Sequence, residues 1–183
     1  MSNKIGITAL LLSIIALVLI LIVFQRLPLP TSPVQEEASA TQAAEEDSEI
    51  RKVVWHADFA NPRRFSAMLT SINNMVTNYQ DDLADYDVRI VFLSHGIRFL
   101  TNDKLVGTPF EEDAALAKQR ASLMGRLQSL QETQEVKLEL CEITRNATGL
   151  PQEKLIEGVE LVPSGVVRIS ELQHQGFAYL KVE

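Results

Sequence analysis

From about residue 50 onward, hydrophobic and polar positions recur with two different periodicities, and these predict five strands and four helices. Short apolar or alternating runs typical of strands occur at residues 52–57, 88–93, 136–143, 159–162 and 177–182. From Phe65 to Tyr79 an apolar residue instead recurs every three or four positions, which is the spacing of one helix face. Strands that alternate with helices favour right-handed crossovers and a sheet covered on both faces. The predicted fold class is α/β, a three-layer α/β/α sandwich with a five-stranded, mainly parallel sheet.

Proline, serine and acidic residues indicate where the helices begin. Asn61-Pro62 opens the first helix, because a proline there lacks only an N–H group that the helix would leave unpaired. Asp58 is a candidate cap just before it, and Ser164 has the residue type and position of an N-cap for the last helix. The predicted helices cover residues 61–79, 111–130, 151–157 and 165–175, and a loop at 97–110 precedes the second of them.

The N-terminal part of the chain contains a long uncharged stretch. Residues 5–24 have no charged side chain, and about 20 apolar residues are what a helix needs to cross a bilayer. A cleavable signal peptide has a shorter apolar region, closely followed by a small-residue cleavage site. The Ala38-Ser39-Ala40 triplet lies well beyond the apolar run. We therefore expect an uncleaved, single-pass transmembrane helix, with residues 1–26 as the N-terminal anchor.

Residues 27–49 have the composition of a linker between the anchor and the folded part. They include three prolines and six acidic residues but little apolar surface, which favours a disordered, acidic tether. Lys4 precedes the apolar run and acidic residues follow it, so the preference of positive charge for the cytoplasm places the N terminus inside. We expect a protein of the bacterial inner membrane whose soluble domain, residues 50–183, lies in the periplasm.

The charge and motif content of the soluble domain excludes several classes of protein. From Ile50 onward the chain has 15 lysines and arginines and 18 acidic residues, so this part lacks the strongly basic character of nucleic-acid-binding domains. The chain has neither the glycine-rich dinucleotide fingerprint nor the Gly-Lys-Ser/Thr phosphate loop, and no cofactor is expected. It also lacks a His-x-x-x-His or Cys-x-x-Cys pair, so no metal site is predicted.

The only cysteine of the chain lies at the predicted end of the third strand, where open parallel sheets gather their ligands. His56 from the first strand, His95 from the second, and Ser164 and Gly165 at the start of the last helix would reach the same edge. A nearby histidinium or helix N terminus lowers the pKa of a thiol and favours the reactive thiolate. Cys141, His95 and His56 are therefore the candidate catalytic residues, and Ser164 and Gly165 the candidate anion-binding residues.

A purely structural role is the open alternative for each of these residues. A free cysteine often behaves as a small buried hydrophobic residue. His56 would then only donate or accept a hydrogen bond in the core, and His95 would serve the conformation of a tight turn before Gly96. His174, on the last predicted helix, is expected at the surface.

Several segments in this order resemble the DsrE/DsrF-like family of small parallel α/β proteins linked to sulfur transfer. They are Val54-Trp55-His56, Ile72-Asn73-Asn74, and the stretches 91–96, 138–141, 158–165 and 175–180. The resemblance implies a flavodoxin-like sandwich and assembly as a homo-oligomer, usually a trimer or hexamer. It also implies that a cysteine at the end of this strand, here Cys141, carries sulfane sulfur as a persulfide.

The sequence thus predicts a membrane-tethered DsrE-like protein with a sulfur-carrier or sulfurtransferase-like role that uses Cys141. Its expected partners are a sulfur donor or acceptor protein and the membrane, but not nucleic acid. The alternative is a non-catalytic oligomeric binding or structural module in which Cys141 is inert.

Overall fold

The computed structural model describes residues 50–183, and its central element is a five-stranded sheet in the order β4-β3-β2-β1-β5. The strands are β1 (Arg51–Ala57), β2 (Tyr86–Phe92), β3 (Lys137–Cys141), β4 (Val159–Val162) and β5 (Ala178–Leu180). All four strand pairs are parallel, so the predicted α/β class and parallel sheet are confirmed. The predicted anchor and linker lie outside the described residues. No helix within residues 50–183 is long and apolar enough to cross a membrane.

Helices cover both faces of the sheet and complete the three predicted layers. They are α1 (Pro62–Asp81), α2 (Ala114–Gln134), α3 (Glu142–Thr148) and α4 (Gly165–His174). Apolar side chains of α1 and α2 form the larger core with one face of the sheet, which includes Ile90 and Leu138. Ile169 and Leu172 of α4 pack on the other face, in a smaller cluster that contains Cys141.

Helix α1 begins as its sequence predicts, but a different residue caps it. The side chain of Asn61 accepts hydrogen bonds from the main-chain N–H groups of Arg63 and Arg64, at 2.9 and 3.3 Å. Asp58, the candidate cap, instead accepts a hydrogen bond from Lys181 Nζ at 2.8 Å. Asp58 lies three residues before the N-cap Asn61, too early to cap the helix, because an N-cap side chain bonds to the N–H groups two and three residues further on.

The predictions for the segment after β3 were wrong in two places. The third strand ends at Cys141, and residues 142–148 form helix α3 where the pattern predicted further strand and loop. The predicted helix at 151–157 is a single 3₁₀ turn, Gln152–Lys154. A 3₁₀ helix, Ser94–Phe99, also overlaps the start of the loop that was predicted at 97–110. Short helical turns have too few residues for a helical apolar period to show.

A buried ion network fixes α4 to the sheet. The Glu139 carboxylate is fully buried on the α4 side of β3. It accepts a hydrogen bond from Arg89 Nη1 on β2 at 2.8 Å. It also accepts two from Arg168 of α4, from Nε at 2.6 Å and from Nη2 at 2.8 Å. Because Arg168 is only one turn after Gly165, the network holds the start of α4 against the end of the sheet.

Candidate functional site

Cys141 is the last residue of β3 and lies between the sheet and the start of α4. Only 5% of the residue is exposed, and it packs in the smaller cluster with Leu93 and Ile169. Its backbone is still extended, and helix α3 begins with the next residue. The strand therefore delivers the thiol directly to the place where two helices begin.

The polar groups around Cys141 lower the pKa of its thiol. They act through hydrogen bonds to the thiolate and are the main-chain N–H groups of Gly165, Thr144 and Ile143 and the hydroxyl of Thr144. Burial raises the pKa of the thiol, but these hydrogen bonds to the thiolate together outweigh it, so the pKa lies below its ordinary value. The surroundings thus favour the thiolate, the form in which cysteine acts as a nucleophile.

The hydroxyl of Thr144 is oriented by a neighbouring strand end. Its Oγ1 accepts a hydrogen bond from the main-chain N–H of Ser94 at 3.0 Å, which leaves the hydroxyl proton free to point at Cys141. Ser94 directly follows β2 and has a φ of 48°, in the left-handed region that few residues other than glycine adopt. The turn after β2 therefore takes an unfavourable backbone conformation at Ser94. In this conformation the Ser94 N–H donates to Thr144, whose hydroxyl lowers the pKa of the Cys141 thiol.

Gly165 lets the start of α4 approach the thiol closely. A side chain at this position would bring its Cβ to 2.6 Å from Leu93 Cγ and 3.1 Å from Cys141 Cβ. With hydrogen in that place, the start of α4 lies against Cys141, and the Gly165 N–H is one of the groups that lower the pKa of the thiol. Ser164 occupies the N-cap position of α4, but its side chain makes no capping hydrogen bond.

The structure separates the two candidate histidines. His95 Nδ1 lies 3.3 Å from Ser94 Oγ, and its ring packs edge-on against Phe110 at 5.1 Å between centroids. His95 thus contacts Ser94, and the main-chain N–H of Ser94 donates the hydrogen bond to Thr144 Oγ1. His56 belongs to a different group, because strand β2 lies between β1 and β3.

His56 forms a cluster with the C-terminal strand instead of the thiol. Its Nδ1 lies 2.8 Å from the Tyr179 hydroxyl, and its Nε2 lies 3.6 Å from Asp58 Oδ2. Burial lowers the pKa of His56, and Lys181 and Arg64 lower it further, while Asp58 raises it by less. These contacts connect the end of β1 to β5. His174 is exposed, as expected.

Thr144 is the site residue that the sequence analysis missed. Its signal was its position three residues after Cys141, which matters only if a helix begins at Glu142 and turns its first N–H groups back toward the sulfur. Among residues 50–183, no group of three histidine, cysteine or acidic side chains could hold a metal ion.

Replacing Thr144 with valine should raise the pKa of Cys141, because the side chain then no longer donates a hydrogen bond that stabilises the thiolate. Thr144→Ser keeps the hydroxyl and should leave the pKa near that of the wild type. The measurement is the pH dependence of alkylation of the full-length chain by iodoacetamide. Equal pKa values in the valine and serine variants would show that the hydroxyl does not stabilise the thiolate.

The model of the DsrE/DsrF-like family matches residues 38–182, and the chain belongs to this family, which is associated with sulfur relay. No curated protein sequence matches the chain.

The solved structures that are similar to the chain include the following two. One is a protein of unknown function, MTH1491 from Methanobacterium thermoautotrophicum, with 24% identity and a TM-score of 0.55 over 73% of this chain and 99% of that one. The other is the ychN protein from E. coli, with 20% identity and a TM-score of 0.47 over 72% of this chain and 99% of that one. The first likeness shows the fold alone.

Proposed function

We propose that this protein carries sulfane sulfur as a persulfide on Cys141. The observation that supports the proposal most strongly is the position of a buried thiol at the starts of α3 and α4, where main-chain N–H groups and the Thr144 hydroxyl lower its pKa. An inert cysteine in an apolar core needs no such donors, because a neutral thiol is only a weak hydrogen-bond acceptor. Membership of a family associated with sulfur relay agrees with this role.

The proposed transfer has two displacement steps and no net oxidation. In the first, the Cys141 thiolate attacks the outer sulfur of a donor persulfide, R–S–SH. A new S–S bond forms, the donor S–S bond breaks, and the donor leaves as R–S⁻, which gives Cys141–S–SH. In the second step an acceptor thiolate attacks the outer sulfur, and Cys141 leaves as its thiolate.

The hydrogen bonds from Gly165, Thr144 and Ile143 serve both steps. They raise the thiolate fraction before the attack. A thiol of lower pKa is also the better leaving group when the sulfur is passed on. His95 takes a positioning role in this proposal, through its contact with Ser94. His56 takes none, since its cluster lies beyond β2.

Treatment of the native full-length chain with a polysulfide should add the mass of sulfur to the protein. Dithiothreitol should remove the added mass, and Cys141→Ser should show no addition. A second candidate function, the oligomeric binding module with an inert cysteine, is favoured by the 5% exposure of Cys141. It predicts no adduct in the native chain but full labelling after unfolding.

The membrane tether remains a proposal that rests on residues 5–24 of the sequence. The full-length chain should sediment with bacterial membranes and resist extraction by alkaline carbonate, because an apolar stretch of about 20 residues inserts stably. A variant without residues 1–26 should be released. A full-length chain that carbonate removes from the membranes would contradict the anchor. Assembly as a homo-oligomer, a trimer or hexamer, and the periplasmic location likewise stay predictions.

A further inference from the structure

A cavity of about 590 Å³ lies between the first turns of helices α1 and α2. Its apolar walls come from Ala60 and Pro62, at the start of α1, and from Ala115, at the start of α2. Sites for small organic molecules usually measure about 300 to 1,000 Å³. The cavity is therefore large enough for such a ligand. It belongs to the helices of the larger core, whereas Cys141 packs in the smaller cluster on the other face of the sheet.

Two cationic side chains on the wall of this cavity have no carboxylate partner. Arg63 is in the first turn of α1 and Lys118 in the second turn of α2, and both line the cavity. Among residues 50–183, neither side chain forms an ion pair. The two helices thus each contribute one uncompensated positive charge to the same cavity.

The acidic residues that precede α2 are already engaged and do not neutralise these cations. Glu111 accepts a hydrogen bond from a main-chain N–H of the preceding loop at 2.9 Å, and Glu112 pairs with Arg120 Nε at 2.7 Å. Asp113 does line the cavity, but its carboxylate caps α2 and accepts a hydrogen bond from Arg98 Nη2 at 2.8 Å. Its negative charge is therefore compensated from within the protein.

Arg98 adds a buried positive charge beside Asp113. The residue is only 3% exposed, and within the described residues its Nε has no hydrogen-bond partner. The guanidinium group thus has more hydrogen-bonding capacity than Asp113 uses. The positive ends of the α1 and α2 macrodipoles also lie at this cavity, because both helices begin there. The cavity therefore has a positive electrostatic character, although one carboxylate lines it.

We propose that this cavity binds a small organic anion that carries a dianionic phosphate group, such as a sugar phosphate. Arg63 and Lys118 supply two positive charges, which match the charge of a phosphate monoester at slightly alkaline pH. A guanidinium group donates to two phosphate oxygens at once, and an ammonium group attracts the phosphate as a point charge. This binding site is separate from the Cys141 site and does not depend on the sulfur-carrier proposal.

Two side-chain amides provide contacts for the organic part of the ligand. Asn61 uses its Oδ1 to cap α1, which leaves its Nδ2 available as a donor. Gln119 donates from Nε2 to Ala115 O at 3.3 Å, which leaves its Oε1 available as an acceptor. Both amides line the cavity, so it offers a donor and an acceptor for hydroxyl groups beside its alanine and proline walls.

Equilibrium dialysis of the full-length chain against glucose 6-phosphate, at low ionic strength and slightly alkaline pH, tests the proposal. We expect saturable binding of one equivalent per chain. Uncharged glucose should not bind, and inorganic phosphate should bind more weakly, because it leaves the rest of the cavity empty. Binding that does not saturate would overturn the proposal. Equal dissociation constants for inorganic phosphate and the sugar phosphate would overturn the assignment of an organic ligand.

Charge-removing variants locate the binding. Arg63→Gln and Lys118→Gln should each weaken the binding of glucose 6-phosphate about fivefold, as the loss of one charge about 4 Å from the anion implies in a water-like medium. Arg51→Gln is the matched control, because this exposed arginine lies at the start of β1, at the opposite edge of the sheet from the starts of α1 and α2. An equal loss of affinity in all three variants would contradict binding in the cavity.

Discussion

Replacing Glu139 with alanine should lower the free energy of unfolding by about 3 to 5 kcal/mol, the usual effect of breaking a buried ion pair. The carboxylate is fully buried and accepts three hydrogen bonds from two arginines. Its loss leaves Arg89 and Arg168, with side chains only 16% and 22% exposed, without their common partner. Chemical denaturation of the full-length chain measures the effect. Glu160→Ala is the control, because Glu160 pairs with Glu139 across β3 and β4 but is exposed.

The same network predicts how stability depends on pH. Burial raises the pKa of Glu139, but its hydrogen bonds and ion pairs with Arg168 and Arg89 outweigh this and hold the pKa below its ordinary value. A carboxyl group with a lowered pKa in the folded state stabilises the fold above its unfolded pKa of about 4.3. That contribution is lost as the pH falls from there through the folded pKa. Glu139→Gln should flatten this acid limb, and an unchanged limb would contradict the assignment.

Gly96→Ala should lower the free energy of unfolding by about 2 to 4 kcal/mol, through overpacking and a weakened main-chain hydrogen bond. An added Cβ would lie 2.1 Å from the carbonyl oxygen of Ala57, which also accepts the N–H of Leu93 at 3.0 Å. The obstacle is backbone at the end of β1, so it cannot rotate away as a side chain can. Ser94 and His95 immediately precede this contact, and their turn should shift with it.

Gly125→Ala is the matched control for the substitution at Gly96. Gly125 lies inside α2, and an added Cβ there would meet no atom within 4 Å. Alanine in a helix interior is favoured over glycine by about 0.5 to 1 kcal/mol, so this variant should be slightly more stable than the wild type. Equal effects of the two substitutions would show that the contact at Ala57 is not restrictive.

The sheet and its two long helices could be predicted because their burial follows a simple period. Strand β4 was predicted with its observed ends, Val159–Val162. The apolar stripe of α1 was also right, since Phe65 and Met68 are fully buried in the larger core. A strand or helix of this length repeats its pattern often enough to identify the type of element.

Helix α3 could not be predicted in this way, because the residues after Cys141 continue the strand pattern. Leu138 and Leu140 alternate with Glu139 and Cys141, and Ile143 extends that alternation. The structure instead leaves Ile143 63% exposed in the first turn of a helix. The contacts of that turn with the 3₁₀ helix after β2, including the hydrogen bond from the Ser94 N–H to Thr144 Oγ1, hold the chain in this conformation.

The candidate site could be predicted only in part, because the sequence predicts which residues end the strands but not how far apart those ends lie. The parallel direction of the strands places their carboxyl ends and the starts of the following helices at one edge, so Cys141 and Gly165 could be named from the sequence. The distance between two strand ends in one sheet depends on how many strands separate them, and the sequence alone does not give that order. His56 and Cys141 therefore share an edge of the sheet without sharing a site, since β2 lies between their strands.

The reactivity of Cys141 in the native full-length chain at neutral pH is the most direct test of the account. Iodoacetamide labelling across a range of pH should show a native thiol that reacts completely, with an apparent pKa below the ordinary value of about 8.5. Cys141→Ser should take up no label. A thiol that stays unlabelled in the native chain at every pH, and reacts only after unfolding, would contradict the proposal that Cys141 carries sulfur.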